Sequence, residues 1–319
     1  MYFKYAAAAL TAVLPLCSAQ TYTNCNPLEK SCPADKGLAA SSYTADFTSA
    51  SALGQWTVTG GSVPIGAQGA EFTVAKKGDA PTIDTNFYFF FGKAEVVMKA
   101  APGTGIVSSI VLESDDLDEI DWVSLLVHPI FFLNRTKKAQ EALGGDTTQI
   151  ETNYFGKGDT TTYDRATYVG VGTPQDTFHT YTIDWTKDAI TWYVDGAVVR
   201  TLAYNDAKGG TRFPQTPMRL RIGSWAGGDP DNGQGTIEWA GGLTDYSKGP
   251  YTMYVKSVHI ENSNPAESYT YSDNSGSWQS INSGASATTS LFPGAATSIK
   301  GSYTASVLVF SVVAAMLGF

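Results

Sequence analysis

Asp118-Glu119-Ile120-Asp121-Trp122 places acids and apolar groups in alternation. In a strand, successive side chains point to opposite faces, so Glu119 and Asp121 share one face and Ile120 and Trp122 the other. A third acid two positions on would complete a row of three carboxyls. A retaining glycosidase needs two carboxyl groups about 5 Å apart. One attacks the anomeric carbon, and the other protonates the departing oxygen and then activates the acceptor. A carboxyl between them can hold a shared proton and keep their pKa values apart. On the residues alone, a solvated edge strand explains the acids equally well. Position 123, however, is Val, and the next acid, Glu141, comes only after Val123–Gln140. With that stretch removed, the line reads Asp-Glu-Ile-Asp-Trp-Glu-Ala-Leu-Gly-Gly-Asp.

The elements that must position these acids are strands. Short runs rich in Val, Ile, Thr, Tyr, Trp and Phe alternate with Gly, Asp, Asn and Pro turns through the middle of the chain. Ala189–Val194, then Asp195-Gly196, then Ala197–Arg200, predicts a hairpin with a type I′ turn. The pattern predicts one all-β domain, an antiparallel β-sandwich, with Ile120 and Trp122 in its core. His179 and His259 fall in strand-like runs and read as structural.

With the break closed, the chain resembles glycoside hydrolase family 16, whose signature is Glu-Ile-Asp-x-Glu. It is most similar to the fungal cell-wall branch, the chitin–glucan crosslinking transglycosylases. The likeness covers roughly residues 40–265. It runs through Phe91-Gly92-Lys93-Ala94-Glu95-Val96, Gly105-Ile106-Val107-Ser108-Ser109 and Thr152-Asn153-Tyr154-Phe155-Gly156-Lys157-Gly158. It continues through Phe178-His179-Thr180-Tyr181, Trp192-Tyr193-Val194-Asp195-Gly196 and Arg221-Ile222-Gly223-Ser224-Trp225-Ala226-Gly227-Gly228-Asp229. The resemblance implies a concanavalin-type jelly roll with a substrate cleft across its concave sheet. It implies Glu119 as nucleophile, Asp121 as assisting acid and Glu141 as acid/base, with Arg221, Trp225 and Thr236 binding sugar. Indole faces stack on the apolar faces of pyranose rings, and Arg donates to sugar oxygens. The implied activity is transfer of chitin fragments to β-glucan or chitin acceptors through a covalent glycosyl-enzyme. A non-catalytic wall lectin on the same fold is the alternative, because the acid after Trp122 is missing.

Val123–Gln140 has neither strand alternation nor a helical stripe, and Pro129 interrupts it. It has the features of a translated intron. Val-Ser can be encoded by a splice-donor sequence, Gln by a codon ending in the acceptor dinucleotide, and excision restores the motif. A lineage-specific loop is the competing reading. Glu141 could replace the missing acid only if it lay within about 3.8 Å of residue 122 along the chain, so the uninterrupted product is the active one on this reading. The stretch also holds the only glycosylation sequon, at Asn134.

Residues 1–19 read as a secretion signal: Lys4, an apolar run from Ala6 to Leu16, and small residues before Gln20. Residues 20–39 form a segment whose Cys25 and Cys32 are expected to pair as a disulfide in an exported chain. The hydrolase domain is placed at 40–271 and a Ser/Thr/Gly-rich stalk at 272–306. The apolar tail, 307–319, is too short to span a bilayer and reads as a GPI-anchor signal. Gly294 is the attachment site, with the triplet beginning at Ser283 as alternative. The chain is expected at the cell surface, lipid-anchored to the plasma membrane, as a monomer. The net charge is −9, from 21 basic and 30 acidic residues, with no basic cluster to suit nucleic acid. No metal-ligand cluster or phosphate loop stands out, so neither metal nor cofactor is expected. The Asp-rich loop after Trp225 lacks calcium-loop spacing and reads as turn chemistry.

Overall fold

The computed structural model describes residues 22–125 and 148–284. Their strands, in chain order, are β1 (Asp35–Lys36), β2 (Ser42–Asp46), β3 (Trp56–Gly60), β4 (Ile65–Gly66), β5 (Gly69–Val74), β6 (Thr82–Thr85), β7 (Gly92–Lys99), β8 (Ile106–Ser114) and β9 (Glu119–Leu125). After the undescribed stretch come β10 (Gln149–Phe155), β11 (Thr167–Gly170), β12 (His179–Trp185), β13 (Ala189–Val194), β14 (Ala197–Ala203), β15 (Met218–Ala226), β16 (Tyr251–Asn262), β17 (Ser268–Tyr271) and β18 (Ile281–Gly284). One six-residue α-helix, α1 (Gln234–Trp239), follows β15.

Two large antiparallel sheets form the sandwich. One runs β11-β10-β9-β8-β15-β6-β3; the other runs β14-β13-β12-β7-β16-β5-β4, with β2 added along β16. The alternation on β9 sets its orientation. Ile120 and Trp122 are buried in the core with Ile110 and Leu112 of β8 and Leu220 and Ile222 of β15. Trp122 meets Tyr181 of the facing sheet edge-on at 5.4 Å, and its indole N–H donates to the Thr182 carbonyl at 3.4 Å. From that sheet, Trp192 reaches across to donate to the Asp121 carbonyl at 3.1 Å. These two indoles tie β9 to β12 and β13, so the acids between them stand on a strand braced from behind.

The expected hairpin is present. Val194 pairs with Ala197 across a turn whose Asp195 and Gly196 have φ of 50° and 80°, both in the left-handed region that a type I′ turn requires. Asp195 also accepts from His179 Nδ1 at 2.7 Å, and His179 Nε2 lies 2.7 Å from the Gly172 carbonyl. That histidine locks a loop to a turn, as a structural role requires.

The folded region extends further than the composition suggested. Residues after 271 were assigned to a stalk, yet β18 pairs with β17, which in turn pairs with β1 in a small third sheet. Trp278 packs against the core and donates its backbone N–H to Gln215. A Ser/Asn-rich composition there reflects tight turns and not a flexible chain. The alternative anchor triplet at Ser283 accordingly begins on a paired strand. Cys25 and Cys32 are joined as expected, with Cα atoms 5.8 Å apart. Residues 1–21, Asn134, Glu141 and Gly294 lie outside the described residues.

Candidate active site

The outer face of the seven-stranded sheet carries rows of side chains set by the strand registers. Glu119 on β9 lies opposite Glu113 of β8 and Phe155 of β10. Glu113 in turn lies opposite Arg219 of β15. In the next row Asp121 is flanked by Asn153 and Val111, and beyond Val111 come Arg221 and then Asp84 of β6. In the third row Val123 stands between Glu151 of β10 and Ser109 of β8. In the fourth, Val107 lies opposite Trp225.

Glu119 and Asp121 are hydrogen-bonded to each other, side chain to side chain. Asp121 is only 3 % exposed. Burial pushes its carboxyl well above the ordinary range, and the nearby charges of Glu119, Glu151 and Glu113 push it the same way. Of the two, Asp121 is the carboxyl whose protonated form its surroundings favour more strongly. Burial also raises Glu119, and the Asp121 hydrogen bond and the Arg221 and Arg165 guanidiniums offset only part of that rise. Two hydrogen-bonded carboxyls with unequal pull on a proton are the arrangement an assisting acid and a nucleophile would require.

Arg221 is 1 % exposed and its guanidinium is committed to protein carboxylates. Nε and Nη2 each donate to Asp84 at 2.9 Å, and Nη1 lies 2.7 Å from Glu113. Arg221, expected to bind sugar, is instead held between the carboxylates of β6 and β8 in the rows of Glu119 and Asp121. Glu113 is raised to about 7, burial outweighing the pull of Arg221 and Arg219. Asp118, just before Glu119, accepts from the backbone N–H groups of Gln215 at 2.7 Å and Lys157 at 2.9 Å, fixing where β9 begins.

The other end of β9 has a different character. Val123 packs with Val107, Ala240, Tyr168, Trp225 and Trp239. Trp225 is half-buried and stacks on Trp239 with ring centroids 6.2 Å apart and planes at 27°. Trp239 comes from α1, which also carries the half-buried Thr236, so the helix brings two of these groups over the sheet. The loop entering α1 is built by turn contacts: Asp229 accepts from Asp231 N–H at 3.0 Å and from Tyr246 Oη at 2.7 Å.

Two residues of this end escaped sequence reasoning. Glu151, 2 % exposed, accepts from the Trp239 indole at 2.9 Å and is also hydrogen-bonded by Tyr168 and Asn153. Burial raises its carboxyl despite those donors. Its signal was the alternation Glu151-Thr152-Asn153, but the register that sets Glu151 beside Val123 is a tertiary fact. Trp239 sits in a short helix with no periodic signature. Glu141, the expected acid/base, lies outside the described residues, and Val123 holds the place on β9 where the motif requires an acid.

Known proteins share the fold and much of the sequence that carry these strands. The profile of Glycosyl hydrolases family 16 matches residues 51–127 and 139–241. The match is broken between those blocks, within Val123–Gln140. Crh-like protein 5 of Aspergillus fumigatus is 80% identical over 281 residues, which is 88% of this chain and 67% of that protein. The solved structure of the Crh5 transglycosylase in complex with NAG superposes with a TM-score of 0.75 at 80% identity, covering 81% of this chain and 99% of the other. The Bacillus licheniformis beta-glucanase shares the fold, with a TM-score of 0.54 at 24% identity over 70% of this chain and 99% of the other.

Proposed function

This chain belongs to glycosyl hydrolases family 16, and on that premise we propose the mechanism and residue roles of a cell-wall glycosidase/transglycosylase acting on chitin and β-glucan. One observation carries the reading: the buried, hydrogen-bonded Glu119–Asp121 pair stands on a braced strand of a family 16 sandwich. Glu119 attacks the anomeric carbon and forms the glycosyl-enzyme as the glycosidic C–O bond breaks and the acid/base gives its proton to the departing oxygen. Asp121 shares its proton with Glu119 and regains it as the covalent bond forms. A sugar hydroxyl or water then releases the glycan, and water exclusion sets the balance between them. Trp225 and Thr236 contact sugar beside this pair. The relative's bound NAG, N-acetylglucosamine, is the repeating unit of chitin, which supports a chitin donor here. The tight likeness to a transglycosylase disfavours a non-catalytic lectin.

The acid/base is Glu141 in the product that lacks Val123–Gln140. In the chain as written, Val123 closes that position with apolar contacts. The broken family match supports reading the stretch as retained intron sequence. A secreted monomer held at the wall through a lipid anchor near Gly294 completes the proposal.

The test compares the full chain, the form lacking Val123–Gln140, and that form with Glu119→Gln. Labelled chitin oligomers are incubated with glucan acceptors. The shortened form is expected to make chimeric products about 10²–10⁴ times faster than the full chain, the usual contribution of a positioned acid/base. Glu119→Gln is expected to abolish them. Equal rates for the first two forms would overturn the assignment of the missing acid. Sequencing the spliced transcript checks the intron: a main message that retains these codons sinks it.

A further inference from the structure

The residue assignments above leave Tyr22 unused, although it lies on the site's own face. Its backbone N–H donates to Glu113 Oε1 at 2.7 Å. Its ring covers two guanidiniums, with the Arg221 carbon 4.9 Å and the Arg219 carbon 5.6 Å from the ring centroid. Those three partners belong to the row and the support of the nucleophile. Glu113 lies directly opposite Glu119, and Arg219 lies one strand further on. The row from Glu119 to Arg219 spans two strand spacings, about 10 Å.

Tyr22 is nevertheless 45% exposed. The ring is engaged by two cations, and much of the residue still meets solvent. An aromatic ring held this way has the form of a platform, since cation–π contact fixes the ring without enclosing it. The segment that presents it is tied down at several points. Cys25–Cys32 closes a small loop. Thr23 Oγ1 donates to the Cys25 carbonyl at 2.9 Å and accepts from the Cys25 N–H at 3.2 Å. Asn274, in the β17–β18 turn, donates to the Pro27 carbonyl. Such anchoring exceeds what a frayed terminal residue needs and lowers the entropy lost when a ligand stacks on it.

We propose that Tyr22 is a sugar-stacking residue, the platform of a subsite one or two rings from Glu119 that selects longer β-linked pyranose chains. This rests on the glycan-transfer reading of the Glu119 site. The Arg219–Arg221 pair stiffens the platform from below, and Glu113 holds its backbone. A donor chain reaching past the nucleophile's row lays the apolar face of a ring on Tyr22, while a short oligomer does not reach it.

The experiment titrates the full chain, Tyr22→Ala and Tyr22→Phe with a chitin disaccharide and a chitin hexasaccharide by calorimetry, and records Tm for each. Tyr22→Ala is expected to bind the hexasaccharide about tenfold more weakly and the disaccharide unchanged. Tyr22→Phe, which keeps the ring and the N–H, is expected to match the parent for both. Unchanged hexasaccharide binding by Tyr22→Ala would overturn the proposal. So would an equal loss for both ligands accompanied by a lowered Tm, which is the signature of a purely structural residue. A loss in Tyr22→Phe as large as in Tyr22→Ala would assign the effect to the hydroxyl and overturn stacking. If neither the full chain nor the form lacking Val123–Gln140 binds either oligomer, the functional reading fails along with the platform; if binding is present and only the Tyr22→Ala contrast is missing, the platform alone fails.

Discussion

The two ends of β9 show how differently one strand can be furnished. At Glu119 and Asp121 the surroundings are charged and mutually satisfied: Arg221 bridges Asp84 and Glu113, and Arg219 stands beside Glu113 at 3.7 Å. At Val123, two pleats away, the surroundings are Val107, Tyr168, Trp225 and Trp239, with Glu151 the one carboxylate aligned opposite it. The first end holds the hydrogen-bonded Glu119–Asp121 pair, proposed above as nucleophile and assisting acid. The second presents the stacked Trp225 and Trp239 rings and has Val in place of an acid at position 123 of β9. On the proposed reading, Glu119 and Asp121 supply the nucleophilic half of the machinery, while Val123 leaves the described part of β9 without the third acid, as an interruption falling just after Trp122 would.

The contrast can be broken first at the charged end. Arg221→Met leaves Asp84 and Glu113 buried with only the more distant Arg219, at 3.8 and 3.7 Å, as a shared partner. Losing one member of a buried ion pair typically costs about 3–5 kcal/mol, which for a domain of this size lowers Tm on the order of 10 °C. The loss is expected to be larger at pH 8 than at pH 5, because protonation relieves the stranded carboxylates. Thermal unfolding at the two pH values reads both effects. A neutral outcome would mean that the charged end owes its order to packing and not to the guanidinium.

The second expectation concerns the apolar end. Val123→Glu in the full chain restores an acid on the correct face. Glu151 directly opposite and Asp121 two residues before would raise its pKa, as a general acid requires. A gain of about 10²-fold in chimeric product formation is expected, below that of removing the whole stretch. No gain in a folded Val123→Glu protein, alongside restored activity on excision, would show that the inserted chain obstructs the cleft as well as displacing the acid.

How much of this was legible beforehand divides along the same line. The alternation Glu119-Ile120-Asp121-Trp122 fixed which groups face the core, and the Asp195-Gly196 turn fixed its hairpin, because both depend on neighbours in sequence. Tyr22, Glu113 and Asp84 were not legible, because their meeting with Arg221 depends on four elements brought together by registers. Glu151 was missed for the same reason. Arg221 was expected to touch sugar; burial among carboxylates could not be inferred from a residue type that serves either purpose. Residues 272–284 misled through composition, since Ser, Gly and Asn also build the tight turns that join β17 to β18.

The smallest expected effect is a pH dependence that sharpens the comparison. Both ends bury carboxyls whose pKa values are raised, Glu113 to about 7 and Glu151 in the same direction. Away from them, Asp35 is raised to about 8 by burial and by Asp115. A raised acid keeps its proton in the fold at pH values where the unfolded chain has released it. The native state then binds more protons, so stability falls as pH rises. For Glu113 the window runs from the ordinary value of 4.5 to about 7. Tm is therefore expected to be highest near the lower limit and to fall by on the order of 5 °C towards neutrality. Glu113→Gln should flatten that segment of the curve while leaving the part governed by Asp35 in place. A Tm that instead rises across this window would mean that Arg219 and Arg221 hold Glu113 ionised throughout. In that case the charged end would be a fully ionic network, Asp121 would face one more fixed negative charge, and its grip on the shared proton would be stronger still.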